Sequence, residues 1–211
     1  MNGAELNKKL ERGLLGSSIK RLVIAKALAA PSDPERTRGV ENSVTEQAHA
    51  VDAAWENGTL SIYARPEEGH IPKGPGLWIP YLGNVDDRSY GTYTPAMGNP
   101  SVSASWVGTG PFSGCYAVTL TTFQGKVFAH VVTKTEGCAV QPALTQAHHI
   151  ANQITAPQLT QAALDKMKVS SGEGWCYVFW TKKGDNWWRR VLVTSVAEPG
   201  KIVSVGKRSE C

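Results

Sequence analysis

An α+β fold, a β-sandwich of largely antiparallel sheets with flanking helices and long loops, is what the patterning of this chain predicts. Three observations lead there. Three strand-like runs, "SVSASWVG", "CYAVTLTTF" and "KVFAHVVT", crowd the middle of the chain. Two aromatic and β-branched runs, "WCYVFWT" and "WWRRVLVTSV", flank the turn-forming "KKGDN" near the end. Between and before these clusters lie stretches with helical periodicity. Strand clusters interrupted by helices, with several hairpins, favour sheets that pair locally and helices packed outside them.

Taken in order, residues 4–15 and 17–30 read as helix, with Leu6, Leu10 and Leu14 on one face and Ser17 and Ser18 able to cap the second piece. Residues 1–40 are therefore expected to form an N-terminal helical segment, either packed on the main domain or serving in delivery, and residues 41–211 to form that domain. "ENSVTEQAHAVDAAWENG" reads as a further helix, capped by Ser43, with Glu46 at the capping-box position and Gly58 closing it. "TLSIYAR" at 59–65 alternates like a strand. Residues 66–114 carry so many glycines and prolines that they are expected to be largely connecting structure, anchored by Trp78, Ile79 and Tyr81. In particular, "GTGP" is expected to interrupt any regular strand. Residues 141–154 and 157–168 read as two helices, and "KIVSVG" as a closing strand.

Composition narrows the functional classes. At 211 residues with 41% apolar and 19% charged side chains, the chain can bury a core without a metal or disulfide staple. The net charge of +4 is spread among acids rather than gathered in a stripe, which argues against nucleic-acid binding. No run reaches the ~18 apolar residues that a membrane-spanning helix needs. "KRLVIAKALAA" at 20–30 is a poor signal peptide, because Lys26 breaks its apolar stretch. Cys115, Cys138, Cys176 and Cys211 show neither CxxC nor zinc-type spacing, so one or two bridges or four thiols fit equally well. The adjacent His148 and His149 lack the i, i+4 spacing of a metal pair, and no metal or organic cofactor is implied.

The chemically suggestive stretch is "VGTGPFSGCYAVTLTTFQGKVFAHVVT", Val107 to Thr133. A nucleophilic cysteine needs a base in reach or N–H groups aimed at its sulfur. Here His130 is a candidate base for Cys115, and the backbone around Ser113 and Gly114 a candidate oxyanion site. A four-residue connection, Thr122 to Gly125, would set Thr121 opposite Lys126 and Ala117 opposite His130. Cys115 and His130 would then share a face, roughly 7 Å apart on the diagonal. A two-residue turn at Gln124 and Gly125 would keep the shared face but separate the pair by about 13 Å. Against both stands the plain alternative, a cysteine and a histidine packed in a β core.

Ser113-Gly114-Cys115 with His130 on the following strand resembles the catalytic core of the cytotoxic necrotizing factor deamidases. That family's tetrad begins with leucine, where this chain has Phe112. Thr109, six residues before Cys115, resembles the threonine of the Cys-His-Thr triad in the Burkholderia lethal factor-like branch. The resemblance implies a protein-glutamine deamidase: a bacterial toxin or effector, secreted or delivered into a host cytosol. Such an effector turns one glutamine of a GTPase or translation factor into glutamate, with transglutamination as a side activity. It implies Cys115, His130 and Thr109 as catalytic residues, a sandwich fold, a host protein as partner, and a monomer without stable membrane insertion. Two other classes stay open on the residues themselves: a cysteine protease or acyltransferase using the same pair, and a non-catalytic protein-binding module.

Overall fold

The computed structural model describes residues 18–25, 28, 44–46, 48–65, 74–81, 90–133, 140–154, 161–167 and 174–211. Among them are fourteen strands and one helix. The larger sheet takes β1 (Arg21–Ile24), β4 (Thr59–Ala64), β3 (His49–Glu56), β5 (Gly76–Ile79), β7 (Trp106–Phe112), β11 (Gly174–Lys183), β12 (Asn186–Ser195) and β13 (Ile202–Val205) in that spatial order. A short β14 (Ser209–Glu210) also pairs with β12. The smaller sheet runs β10 (Gln161–Lys166), β8 (Tyr116–Thr122), β9 (Gly125–Val132), β6 (Tyr90–Tyr93) and β2 (Val44–Glu46).

Strand alternation assigns each side chain to a layer. In β8 and β9, Ala117, Phe128 and Val132 face Leu77, Val107, Val178 and Trp180 of the larger sheet, forming the core between the two sheets. The opposite-parity residues Tyr116, Val118, Leu120, Val127, Ala129 and Val131 turn the other way. There they meet Ala143, Ala147 and Ile150 of the helix α1 (Val140–Gln153), which covers the smaller sheet. The larger sheet has a second core on its far face, around Leu60, Ile62, Trp78, Trp106 and Phe179. This face is enclosed because the sheet curls until its edges meet: Leu22 N–H donates to Gly200 O and Ile202 N–H to Lys20 O, each at 2.8 Å.

The two central parallel strands fit by complementary size. Trp106 of β7 lies beside Gly76 of β5, and Trp78 of β5 beside Gly108 of β7. A methyl group on Gly76 would meet the Trp106 ring at 2.1 Å, and one on Gly108 would meet Trp78 at 2.7 Å. Overpacking of this kind costs about 1–3 kcal/mol. Gly76→Ala is therefore expected to lower the urea midpoint by that equivalent with an unchanged m-value.

The strand-rich α+β fold with a flanking helix stands, and so does the helix over 141–154, while the larger sheet curls further than a simple sandwich does. Several local expectations do not. The region expected as a helix from Glu41 to Gly58 forms β2 and β3, and "ENGT" is a hairpin turn with φ of 48° at Asn57 and 82° at Gly58. Asn-Gly between strands is a strong turn signal, because that turn needs two left-handed residues, and it outweighs the capping pattern. The helix expected over 17–30 gives way to β1 at Arg21–Ile24, and the one over 157–168 to β10. Both strands gain a full ladder from a neighbour, which overrides helical periodicity. The helix expected over 4–15 lies outside the described residues. Residues 66–114 are less loop-like than expected, since β5, β6 and β7 fall within them.

Candidate functional site

β7 runs through "GTGP" instead of stopping there. Between Thr109, opposite Val178, and Phe112, opposite Cys176, it carries one residue more than β11 does. This bulge falls at Gly110 and Pro111, which are joined by a cis peptide bond. A bulge bends its strand and re-aims the side chains around it. Thr109 before it and Phe112 after it both end up buried and reach the same imidazole, that of His130.

β8 and β9 pair with Thr121 opposite Lys126 and Ala117 opposite His130, the register of the longer connection. The turn itself is Phe123-Gln124, closed by the pair Thr122–Gly125. The alternative turn at Gln124 and Gly125 is thereby excluded. Cys115 sits at the mouth of β8, its carbonyl accepting from Met167 N–H at 2.9 Å. With Ala117 it belongs to the inter-sheet core, so Cys115 and His130 occupy one face of the smaller sheet. Cys115 is 8% exposed and His130 and Thr109 are 0% exposed, so the thiol lies nearest to solvent. Ser113 beside it is exposed, and Gly114 has φ of 133°, a value few other residues adopt.

His130 is held by the larger sheet. Its Nδ1 lies 3.0 Å from Thr109 Oγ1, and that oxygen lies 2.9 Å from the Ile79 carbonyl. The hydroxyl has a single proton, which it donates to Ile79 O. It must therefore accept from His130 Nδ1–H, which leaves Nε2 as the atom with the lone pair. On β6, Thr92 stands opposite His130 in the ladder and donates to Pro80 O at 2.9 Å, a second tie between the sheets. Burial without a charged partner pushes the histidine from 6.5 down to about 3, so the imidazole is neutral at physiological pH.

Nε2 is buried and makes no hydrogen bond, Cys115 included. Thr109 and His130 are thus joined directly, whereas Cys115, on the same face of the smaller sheet, makes no hydrogen bond to Nε2. An orphaned buried acceptor costs about 1–3 kcal/mol. The ring N–H groups of Trp78, Trp106 and Trp180 are likewise buried without a partner, so what sets Nε2 apart is its lone pair on the face that Cys115 shares.

Sequence reasoning missed two features. The Ile79 carbonyl, which sets the tautomer, carries no residue-type signal. The ring of Phe112 stacks on the imidazole with centroids 3.9 Å apart, and its position in "FSGC" was the only hint. Tyr81, expected with Trp78 and Ile79 to anchor connecting structure, also stacks on His130, at 5.3 Å. Trp78, Tyr90 and Tyr93 are core residues. Cys176 is buried and its thiol is raised to about 11 by desolvation, which makes it a poor nucleophile, and burial raises Cys211 as well. Cys138 lies outside the described residues. His148 and His149 are exposed on α1. Among the described residues, no group of three His, Cys, Asp or Glu could hold a metal ion, and no helix is long and apolar enough to cross a membrane. No protein-family model matches the chain, and no curated protein matches its sequence.

Proposed function

We propose that this protein is a cysteine-dependent protein-glutamine deamidase. One observation carries the reading. A neutral histidine has its Nδ1 committed to Thr109 and its Nε2 unspent, in the buried layer between the sheets that also holds Cys115. The resemblance of Ser113-Gly114-Cys115, His130 and Thr109 to the deamidase triad supplies the reaction class.

In the cycle, a glutamine side chain enters past Ser113 and reaches Cys115. His130 Nε2 takes the thiol proton, and the sulfur attacks the carboxamide carbon. Backbone N–H groups near Gly114 and Cys115 stabilise the oxyanion. The C–N bond breaks as His130 returns the proton to the leaving nitrogen, releasing ammonia. Water, deprotonated by His130, then cleaves the thioester, giving glutamate and the thiol. An amine in place of water gives transglutamination.

The substrate would be a host protein, a GTPase or a translation factor, and the chain a toxin or effector acting in the host cytosol as a monomer. A neutral amide exchanged for a carboxylate is enough to disable a catalytic glutamine or an interface. One observation favours a second reading, a thiol used only for packing: Cys115 is embedded in the inter-sheet core.

Mass spectrometry of host lysate proteins treated with the wild type and with Cys115→Ser separates the readings. A gain of about one mass unit at a glutamine, produced by the wild type alone, supports deamidation. Chain cleavage indicates a protease, and identical spectra the packing role. Thr109→Val keeps the side chain's shape but strips two buried partners, His130 Nδ1–H and Ile79 O. It is expected to cost about 1–3 kcal/mol in urea unfolding and to slow turnover on the order of tenfold or more.

A further inference from the structure

The triad contacts hold the His130 ring at one nitrogen only, through Thr109, and leave Nε2 without a hydrogen bond, so rocking of the ring about its Cβ–Cγ bond is unopposed at that end. Two rings remove that freedom. Phe112, at the end of β7, stacks on the imidazole with an interplanar angle of 17°, and Tyr81, just past β5, with an angle of 26°. Both come from the larger sheet, while His130 belongs to the smaller one. Phe112 is 0% exposed and lies just past the bulge at Gly110 and Pro111, which shifts its register against β11.

We propose that Phe112 and Tyr81 are positioning residues for the His130 base: stacked on the imidazole, they fix its plane and exclude water from it, so that Nε2 is held ready for the Cys115 proton. This role rests on the deamidase reading, because it assigns His130 the task of a base. Among the described residues, the Tyr81 phenol stacks on the ring, and the Cys115 and Cys176 thiols and the Tyr90 phenol lie in the same inter-sheet core; none of them is charged at neutral pH in a way that holds the imidazole, and desolvation accounts for its neutrality. The pair also gives the departure from leucine at Phe112 a function: an aromatic ring can stack where an aliphatic side chain can only fill space.

The test uses the full chain with Phe112→Leu, Tyr81→Ala and Tyr81→Phe, each checked for native near-ultraviolet circular dichroism. One arm is kinetic. Phe112→Leu and Tyr81→Ala are expected to lower kcat on the order of 10–100-fold with little change in KM, because a misplaced base slows chemistry rather than binding. Tyr81→Phe, which keeps the ring, should recover most of the loss seen in Tyr81→Ala. The second arm needs no substrate: an NMR titration of His130, whose midpoint should rise toward the ordinary histidine value in Tyr81→Ala and Phe112→Leu as water reaches the ring. Unchanged kcat together with an unchanged titration overturns the proposal, as does a loss confined to KM. Should the wild type convert no glutamine while the titration still moves as expected, the deamidase reading falls and the brace on the histidine survives.

Discussion

Cys115→Ser is expected to lower glutamine deamidation by roughly 10^4-fold or more while leaving the fold intact. The hydroxyl is smaller than the thiol and fits the same site, so the urea midpoint should move little. What changes is the nucleophile. A neutral imidazole buried without a charged partner is a weak base, and an alcohol is a far weaker acid than a thiol, so the proton transfer that attack requires becomes much harder. The substitution therefore removes the covalent step and leaves substrate binding in place. Rates measured by ammonia release, alongside circular dichroism and unfolding of both proteins, check the prediction. A serine variant that retains most of the wild-type rate would mean that Cys115 is only packed in the core.

The second large effect concerns acid. His130 titrates at 6.5 when unfolded and near 3 when folded, so between these values the unfolded chain binds a proton that the native chain excludes. Stability contributed by the neutral histidine is thus fully present above pH 6.5 and is lost as the pH falls toward 3. The full contribution is about 5 kcal/mol, and about 2 kcal/mol of it is gone at pH 5. Other groups titrate over the same range, so the informative quantity is a difference between proteins. His130→Gln keeps a polar, uncharged side chain at the site and removes the titration. Urea unfolding from pH 7.5 to 5 should show the wild type losing about 2 kcal/mol more than the variant. Parallel pH profiles for the two would show that His130 is not held neutral.

The same burial bears on mechanism. A cysteine and histidine that rest as a thiolate–imidazolium pair need a site that tolerates two charges. Here the described surroundings of the histidine are Thr109, Phe112, Tyr81 and the strand backbone, and burial alone sets its charge state. The resting imidazole is accordingly neutral, so under the proposed deamidase mechanism the proton transfer would accompany the attack on substrate.

Much of the candidate site was legible in the sequence because β-strands have a period of two. Parity alone placed Cys115 and His130 on one face, and both the register at Ala117 and the core partners agree. Thr109 was found by resemblance, and its contact with His130 agrees. Less was legible in the N-terminal third and near residue 160. There, alanine-rich runs with helical spacing, such as "AHAVDAAWE", became strands. Helical periodicity is a local preference worth tenths of a kcal/mol per residue, and pairing on both sides of a strand outweighs it. β3 has such pairing, bonded to β4 on one side and β5 on the other.

What the sequence determined by itself was the fold class, the shared face of Cys115 and His130, and the order of the three candidate catalytic residues. The first two follow from alternation and spacing along one chain, and the third rests on the resemblance that singled out Thr109. The tertiary structure decided what depends on a second sheet: the tautomer of His130, through Thr109 and the Ile79 carbonyl; its neutrality, through burial; and the rings of Phe112 and Tyr81 stacked upon it. Ile79 and Tyr81 lie some fifty residues from His130 in the chain, and no local pattern encodes which carbonyl or ring the folding of one sheet onto another will bring to an imidazole.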